Sequence, residues 1–521
     1  MKLFRTFLIL LGLALLVYWG IWQGYFQQDE WSGFGRVLHA QTHGAGSLIR
    51  FSGLHFTPLS IILVSVFYTL FGLNYAAYGW FSLLLHAINV FLVYLLTKKV
   101  TGKALPAFLA AIVFLTAFTP YQTVTWYAAS LSFLPSAFFL LLSLLLFETY
   151  LEKKKVFILL FSFLCVIVGA FFRENAAFVI VYFPIRALLL RHPNFRNISF
   201  MALVAAGLYG AVRFVPLLFQ TSLTTVAPHA ERFRLGEIVS QGVTFLAFHL
   251  PTLLVPTPIP LELARLIFGD ITGLARDSIL AIFYGGVWIA LTLFFLSMRK
   301  RIKATPTATV VLQSVLLFIA LSLAPLSFFP PPLILEPRHY YLSSIGYALL
   351  MGYSVFLLLH KVSPKLKTLV IVLLTLVLST NVILIRQEIG RIIRISSTRI
   401  RVINGLTALY PTLPEKTIIY AQGDMLPFQS GTGQMLMVLY RDRQDFTPLF
   451  QNYFLWGLNE QGYKEVEEKG FGFFTDFQQL MTAYCQNNLS PENVFAYSFD
   501  EKSVAMRDTS QEVRLRLACP F

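Results

Sequence analysis

Charge is scarce in this chain. Of 521 residues only 13% are charged, and 26 acids stand against 41 Lys and Arg. An average soluble domain carries about twice that charged share, so a soluble globular fold for the whole chain is excluded. Cysteine occurs three times, too seldom for a scaffold built on disulfides. There is no phosphate-cradling glycine loop, no GxSxG, no CxxC and no HExxH. Those absences disfavour an ATP-driven pump and a zinc protease.

What is present is apolar. Hydrophobic residues make up 56% of the chain, and the mean hydropathy is +0.67. Apolar blocks recur from Phe7 to Ile385, each long enough to cross a hydrocarbon core of about 30 Å as a helix. The first, Thr6 to Trp22, follows Lys2 and Arg5 but ends in Tyr18, Trp19 and Trp22 instead of a small-residue cleavage site. It reads as a retained span.

A net charge of +15 suggests nucleic acid only until the cations are located. They cluster in short connections: Lys2 and Arg5; Lys98, Lys99 and Lys103; Lys153 to Lys155; Arg186, Arg191 and Arg196; Arg299, Lys300, Arg301 and Lys303; Lys361, Lys365 and Lys367. Placed in the cytosol, these clusters put the N-terminus inside and the Asp29-Glu30 pair outside. The arrangement calls for about eleven spans, near residues 6–22, 76–97, 104–118, 126–147, 156–172, 175–190, 198–218, 278–297, 308–329, 341–360 and 368–385. Two further apolar segments must not cross. Thr57 to Gly72 is expected to be an interfacial helix on the outer face, entered at Pro58. Ile238 to Val255 is expected to be broken or surface-lying, because prolines stand at 251, 256, 258 and 260. One feature strains the scheme: Arg386, Arg391, Arg394, Arg399 and Arg401 fall outside, against the positive-inside rule. Either they bind outer-leaflet phosphates or a span is miscounted.

The expected fold class is an all-α polytopic membrane protein with a small C-terminal α/β domain. Residues 1–386 form the transmembrane domain, and 387–409 a basic amphipathic connecting helix in which isoleucines interleave with arginines. Residues 410–521 form the extracytoplasmic α/β domain, with strand-like runs at Thr417 to Ala421, Val494 to Ser498 and Val504 to Arg507. Cys485 and Cys519 both fall in it, and a disulfide and two buried thiols are equally open readings. Cys165 lies within a span.

Several motifs recur in a telling order. The acidic pair Asp29-Glu30 follows the first span, and then come Gly53-Leu-His-Phe-Thr-Pro58 and a span bearing His86 and Asn89. After these stand Phe118-Thr-Pro120, Val124-Thr-Trp126, Arg173-Glu174 and Glu336-Pro-Arg338-His-Tyr-Tyr341. Over roughly residues 1–386 this series resembles the GT-C superfamily of integral-membrane glycosyltransferases. It is most similar to the protein O-mannosyltransferase group and its bacterial relatives that use polyprenyl-phosphate sugars.

The resemblance implies transfer of a sugar, with inversion, from a polyprenyl-phosphate donor to a protein, lipid or glycan acceptor. The active site would lie on the extracytoplasmic face of a bacterial plasma membrane. Such a displacement needs a carboxylate to take the acceptor's proton and cations to receive the departing phosphate. Asp29 matches the family's first-loop acid and is assigned as general base. Glu30 is read as an acceptor or metal ligand, and Glu174 as a second acid or as half of a boundary ion pair. Arg338 and His339 lead the donor phosphate-binding candidates, with Arg36, Arg50 and His55 behind them, since a guanidinium holds two phosphate oxygens at once. No cofactor is certain, and a divalent metal stays open with no ligands identifiable beyond Asp29 and Glu30. His86 and Asn89 share a helix face and are expected to bond a neighbouring helix. Arg213 needs a partner. The competing class is a polytopic transporter or flippase of a lipid-linked or envelope substrate, which would show repeated halves and mid-membrane charges.

Overall fold

The structure, a computed structural model, describes residues 2–44, 56–218, 245–269, 272–303, 306–323, 336–361, 363–422, 432–440, 462–466, 468–500 and 505–519. The chain divides into two compact units. The first comprises Met1–Trp19, Phe51–Ser60 and Phe81–Gln387, and the second Gly20–Arg50, Ile61–Trp80 and Glu388–Phe521.

Helices follow the apolar blocks. They are α1 (Lys2–Val17), α2 (Asp29–His43), α3 (Pro58–Phe71), α4 (Tyr75–Thr101), α5 (Ala104–Thr116), α6 (Gln122–Thr125), α7 (Tyr127–Lys153), α8 (Val156–Phe172), α9 (Tyr182–Leu189) and α10 (Phe195–Leu218). Beyond them come α11 (Leu250–Leu254), α12 (Pro258–Phe268), α13 (Gly273–Lys303), α14 (Pro306–Leu323), α15 (Tyr341–Lys361) and α16 (Pro364–Leu409). Among the described residues five helices are long and apolar enough to cross a bilayer: Tyr75–Thr101, Tyr127–Lys153, Phe195–Phe214, Pro337–His360 and Pro364–Leu409. Ala247–Leu254 and Pro258–Phe268 together would make a sixth, bent by 92°, where four prolines remove backbone donors. Shorter apolar helices, among them Ala104–Thr116 and Val156–Phe172, lie at other positions where the sequence predicts a crossing. The protein is a multi-pass helical membrane protein.

Three segments differ from expectation. The predicted span at 175–190 is a 3-10 stretch, Glu174–Val181, running into α9; Pro184 has no N–H to bond four residues back, which favours the tighter winding. The expected external loop at Asp29-Glu30 is instead the first turn of α2, where two carboxylates complement the helix dipole. The connecting helix 387–409 is continuous with the last apolar helix in α16. α3 starts at Pro58 and has 14 residues, about 21 Å by helical rise, a length that does not by itself set it apart from the 13-residue α5.

Packing in the first unit depends on close approach and on polar pairing inside the bundle. Where Gly352 of α15 meets α5, an added Cβ would stand 2.6 Å from the Ala110 backbone nitrogen, so only glycine allows that contact. Ser143 of α7 and Ser162 of α8 donate to each other's carbonyls at 2.6 and 2.9 Å. With no water in the hydrocarbon, such groups must find partners within the protein.

The second unit combines an aromatic cluster with a sheet domain. The buried Phe26 ring meets Phe34 at 4.9 Å and Tyr75 and Tyr78 at 5.2 Å, all edge to face. This packing, with Trp31 fully buried, holds α2 helical despite Gly33 and Gly35. The five-stranded sheet has β1 (Lys416–Gln422), β2 (Gly462–Val466), β3 (Lys469–Phe474), β4 (Val494–Asp500) and β5 (Ala505–Asp508) in the order β2-β3-β1-β4-β5. The central β1 runs parallel to β3 and β4, and the two edge strands run antiparallel. The three runs read from the sequence are β1, β4 and β5. Helices α17 (Thr432–Leu439), α18 (Phe477–Gln486) and α19 (Ser510–Arg514) accompany the sheet. Ile418, Phe474, Leu480, Val494 and Val513 centre its core. The open question about the cysteines is settled: Cys485 of α18 and Cys519 form a disulfide. Cys165 is free and buried.

Candidate functional site

The first unit gathers cations around two aromatic rings. Trp126 precedes α7 and Phe133 lies in its second turn, both buried. The Arg338 guanidinium sits 4.6 Å from the Trp126 ring centre, and that of Arg173 sits 4.5 Å from the Phe133 centre. The His339 ring meets Phe133 edge-on at 5.9 Å. Arg338 also forms an ion pair with Glu336. Stacking on aromatic faces holds guanidinium planes without using up their donors.

The segment that carries Arg338 and His339 is anchored on both sides. They occupy a 3-10 turn, Pro337–Tyr340, that opens α15. The Thr123 hydroxyl of α6 donates to the Arg338 carbonyl at 3.2 Å. The next two residues are buried tyrosines with histidine partners: Tyr340 with His249 at 2.8 Å and Tyr341 with His86 at 2.8 Å. Asn89 donates to the Leu134 carbonyl at 3.0 Å and to the Tyr341 hydroxyl at 3.3 Å. His86 and Asn89 therefore bond neighbouring helices, as their shared face suggests. The basic turn is fixed by hydrogen bonds reaching three other helical segments, so its cations are positioned in advance of any ligand.

Glu174 opens the 3-10 stretch after α8. Its Oε1 accepts the Phe56 N–H at 2.7 Å and pairs with Arg213 of α10. That pair supplies the partner Arg213 needs and ties α10 to residue 56. Arg173, the sequence neighbour of Glu174, turns to Phe133 instead. Its place over the Phe133 ring was not evident in the sequence; the Arg173-Glu174 dipeptide pointed to the spot but suggested a mutual pair.

The second unit holds the acidic pair, and its two members have different surroundings. Asp29 is the first residue of α2 and partly exposed, whereas Glu30 is buried, with 3% of its surface accessible. Glu30 Oε2 accepts the N–H groups of Gln27 and Gln28 at 3.2 and 3.1 Å. It thus satisfies donors at the helix start that would otherwise be orphaned. Burial pushes the Glu30 carboxyl above its usual range, and neighbouring Asp29 adds to the rise, against those backbone donors. Arg36 lies seven residues after Asp29, on the same face of α2. Arg50 and His55 lie outside the described residues. Among the described residues no three His, Cys, Asp or Glu side chains come together to hold a metal ion, and Glu30 already uses one oxygen on backbone donors.

No family model and no curated protein matches the chain. Among solved structures it is similar to the crystal structure of ArnT from Cupriavidus metallidurans bound to undecaprenyl phosphate, at 10% identity over 95% of this chain and 93% of that one, with a TM-score of 0.46. It is likewise similar to ArnT from the same organism in the apo state, at 11% identity over 96% of each chain, with a TM-score of 0.44.

Proposed function

We propose that the protein is a membrane glycosyltransferase that moves a sugar, with inversion, from a polyprenyl-phosphate donor to an acceptor nucleophile on the extracytoplasmic face. The observation that carries this reading is the anchored basic turn: Arg338 and His339, with Arg173, around Trp126 and Phe133 in an otherwise apolar helical body. Cations held in a low-dielectric surround at fixed positions favour a ligand whose negative charge grows during reaction. A phosphate ester on a lipid has that property.

In this reading the acceptor hydroxyl attacks the anomeric carbon and loses its proton to a carboxylate base, the role the sequence assigns to Asp29. The bond from that carbon to the phosphate oxygen breaks, and the lipid phosphate leaves with an added negative charge. Arg338, His339 and Arg173 receive that charge. Glu30 fixes the start of α2, and Glu174 holds Arg213 and the Phe56 backbone. The Cys485–Cys519 bond favours an extracytoplasmic sheet domain. Sugar transfer from a radiolabelled polyprenyl-phosphate donor should be measured in proteoliposomes. Asp29→Asn is expected to lower the rate by about two to four orders of magnitude. An unchanged rate overturns the base assignment, and wild-type protein that transfers no sugar from any polyprenyl-phosphate donor overturns the enzymatic reading.

A further inference from the structure

From Thr368 to Ile385 the chain carries no charge, and Lys365, Lys367 and Arg386 bracket the stretch. As a helix it measures about 27 Å, close to the thickness of a hydrocarbon core. α16 does not stop there but continues to Leu409, 46 residues in all, or about 69 Å. Its second half must therefore stand outside the apolar layer. Two observations mark the boundary near Arg386. The Arg386 guanidinium donates to the Trp19 carbonyl, and Trp19 is 55% exposed, as befits an indole at a membrane interface.

Past that boundary the helix has two faces. Ile389, Ser396, Arg399, Val402 and Leu406 are buried, which fixes the helix rotation. Arg386, Arg391 and Arg394 are exposed and lie within one arc of the opposite face. Arg391 and Arg394 stand about 7.5 and 12 Å along the axis from Arg386. The headgroup layer is roughly 5–8 Å deep, and screening reaches about 8 Å further at physiological salt. Arg401, about 22 Å along, lies beyond that range. The helix then leads into the disulfide-bonded sheet domain, so an oxidising compartment on that side puts these arginines against the usual charge bias. A compensating use for them follows.

We infer that Arg386, Arg391 and Arg394 form a face that binds the headgroups of anionic phospholipids in the leaflet where α16 leaves the membrane. The site is independent of the catalytic reading. Glu388 moderates it, because its carboxylate pairs with Arg391 at 2.8 Å.

The test uses full-length protein in nanodiscs of phosphatidylcholine with increasing phosphatidylglycerol and no polyprenyl lipid. Retention of phosphatidylglycerol after detergent extraction is read by mass spectrometry. We expect R391Q/R394Q to lower the apparent affinity by roughly fivefold per arginine removed, R391K/R394K to restore most of it, and E388Q to raise it. The variants change exposed residues, and formation of the Cys485–Cys519 bond reports that they fold. Equal retention by wild type and R391Q/R394Q overturns the inference, as does a fall in retention with E388Q.

Discussion

The two units solve the same problem, keeping polar groups paired, in different solvents. In the helical body the pairs run from helix to helix: His86 with Tyr341, His249 with Tyr340, Ser143 with Ser162, and Glu148 with Arg186. The sheet domain has a small core and adds a covalent tie between α18 and the chain end. A body immersed in lipid cannot hand its polar groups to water. A domain of about 110 residues in water can, but it buries proportionally less apolar surface. The first unit should therefore be most sensitive to a broken polar pair and the second to a broken staple.

The largest effect is expected at Glu148. Its carboxylate meets Arg186 at 3.1 Å, both largely buried, and Arg186 also donates to the Ser314 hydroxyl at 2.9 Å. Glu148→Ala leaves a buried guanidinium without its counter-charge, a loss of about 3–5 kcal/mol. The thermal unfolding midpoint of purified protein should fall sharply, and the double variant Glu148→Leu with Arg186→Met should recover much of it, since apolar replacements of both partners remove the uncompensated charge. Recovery in the double variant would separate a structural pair from a functional one. A Glu148→Ala protein as stable as wild type would break the contrast between the units.

The staple comes second. Cys485 and Cys519 are separated by 34 residues, a loop whose closure is worth about 2–4 kcal/mol. Replacing both with Ser should make the sheet domain susceptible to limited proteolysis while the helical body stays intact. Mobility on non-reducing gels should shift on reduction of the wild type and not of the variant. Equal protease resistance in wild type and variant would mean that the core around Ile418 and Val494 suffices unaided.

The same contrast explains what could be read from the sequence. Hydropathy reports burial in lipid, so helices appear where apolar blocks were read, and the runs at 417–421, 494–498 and 504–507 became strands. The edge pair β2 and β3 escaped notice because Lys469-Gly-Phe-Gly-Phe-Phe474 mixes charge and glycine with its aromatics. Those glycines face Tyr463: an added Cβ at Gly472 would stand 3.0 Å from its ring, a tertiary reason that no local pattern shows. α2 was hidden similarly, since its glycines resemble a loop until the packing of Phe26, Trp31 and Phe34 is known. Among candidate site residues, Arg338 and His339 stand out in the sequence because they follow Pro337 and open a Tyr-rich span, and their phosphate role is the proposal made above. The stacking of Arg173 on Phe133 was not legible, because it joins residues 40 positions apart.

The smallest expected effect concerns Glu30, and it sharpens the comparison because this acid is buried in the second unit, with backbone donors on Oε2 and the buried Arg399 within electrostatic reach. Its carboxyl is raised above the ordinary value chiefly by desolvation. Between the unfolded and the folded pKa the native state binds more protons than the unfolded one. Stability contributed by this group is therefore fully present below the unfolded value and declines as pH rises through the folded value. Glu30→Gln keeps an oxygen that can accept the Gln27 and Gln28 N–H groups and removes the titration. The variant should lose little stability at low pH and show a flatter decline as pH rises above the ordinary carboxylate range. Thermal midpoints across that rise measure it. Parallel curves for wild type and variant would show that Glu30 titrates normally, and that the backbone donors at the start of α2 offset its burial in full.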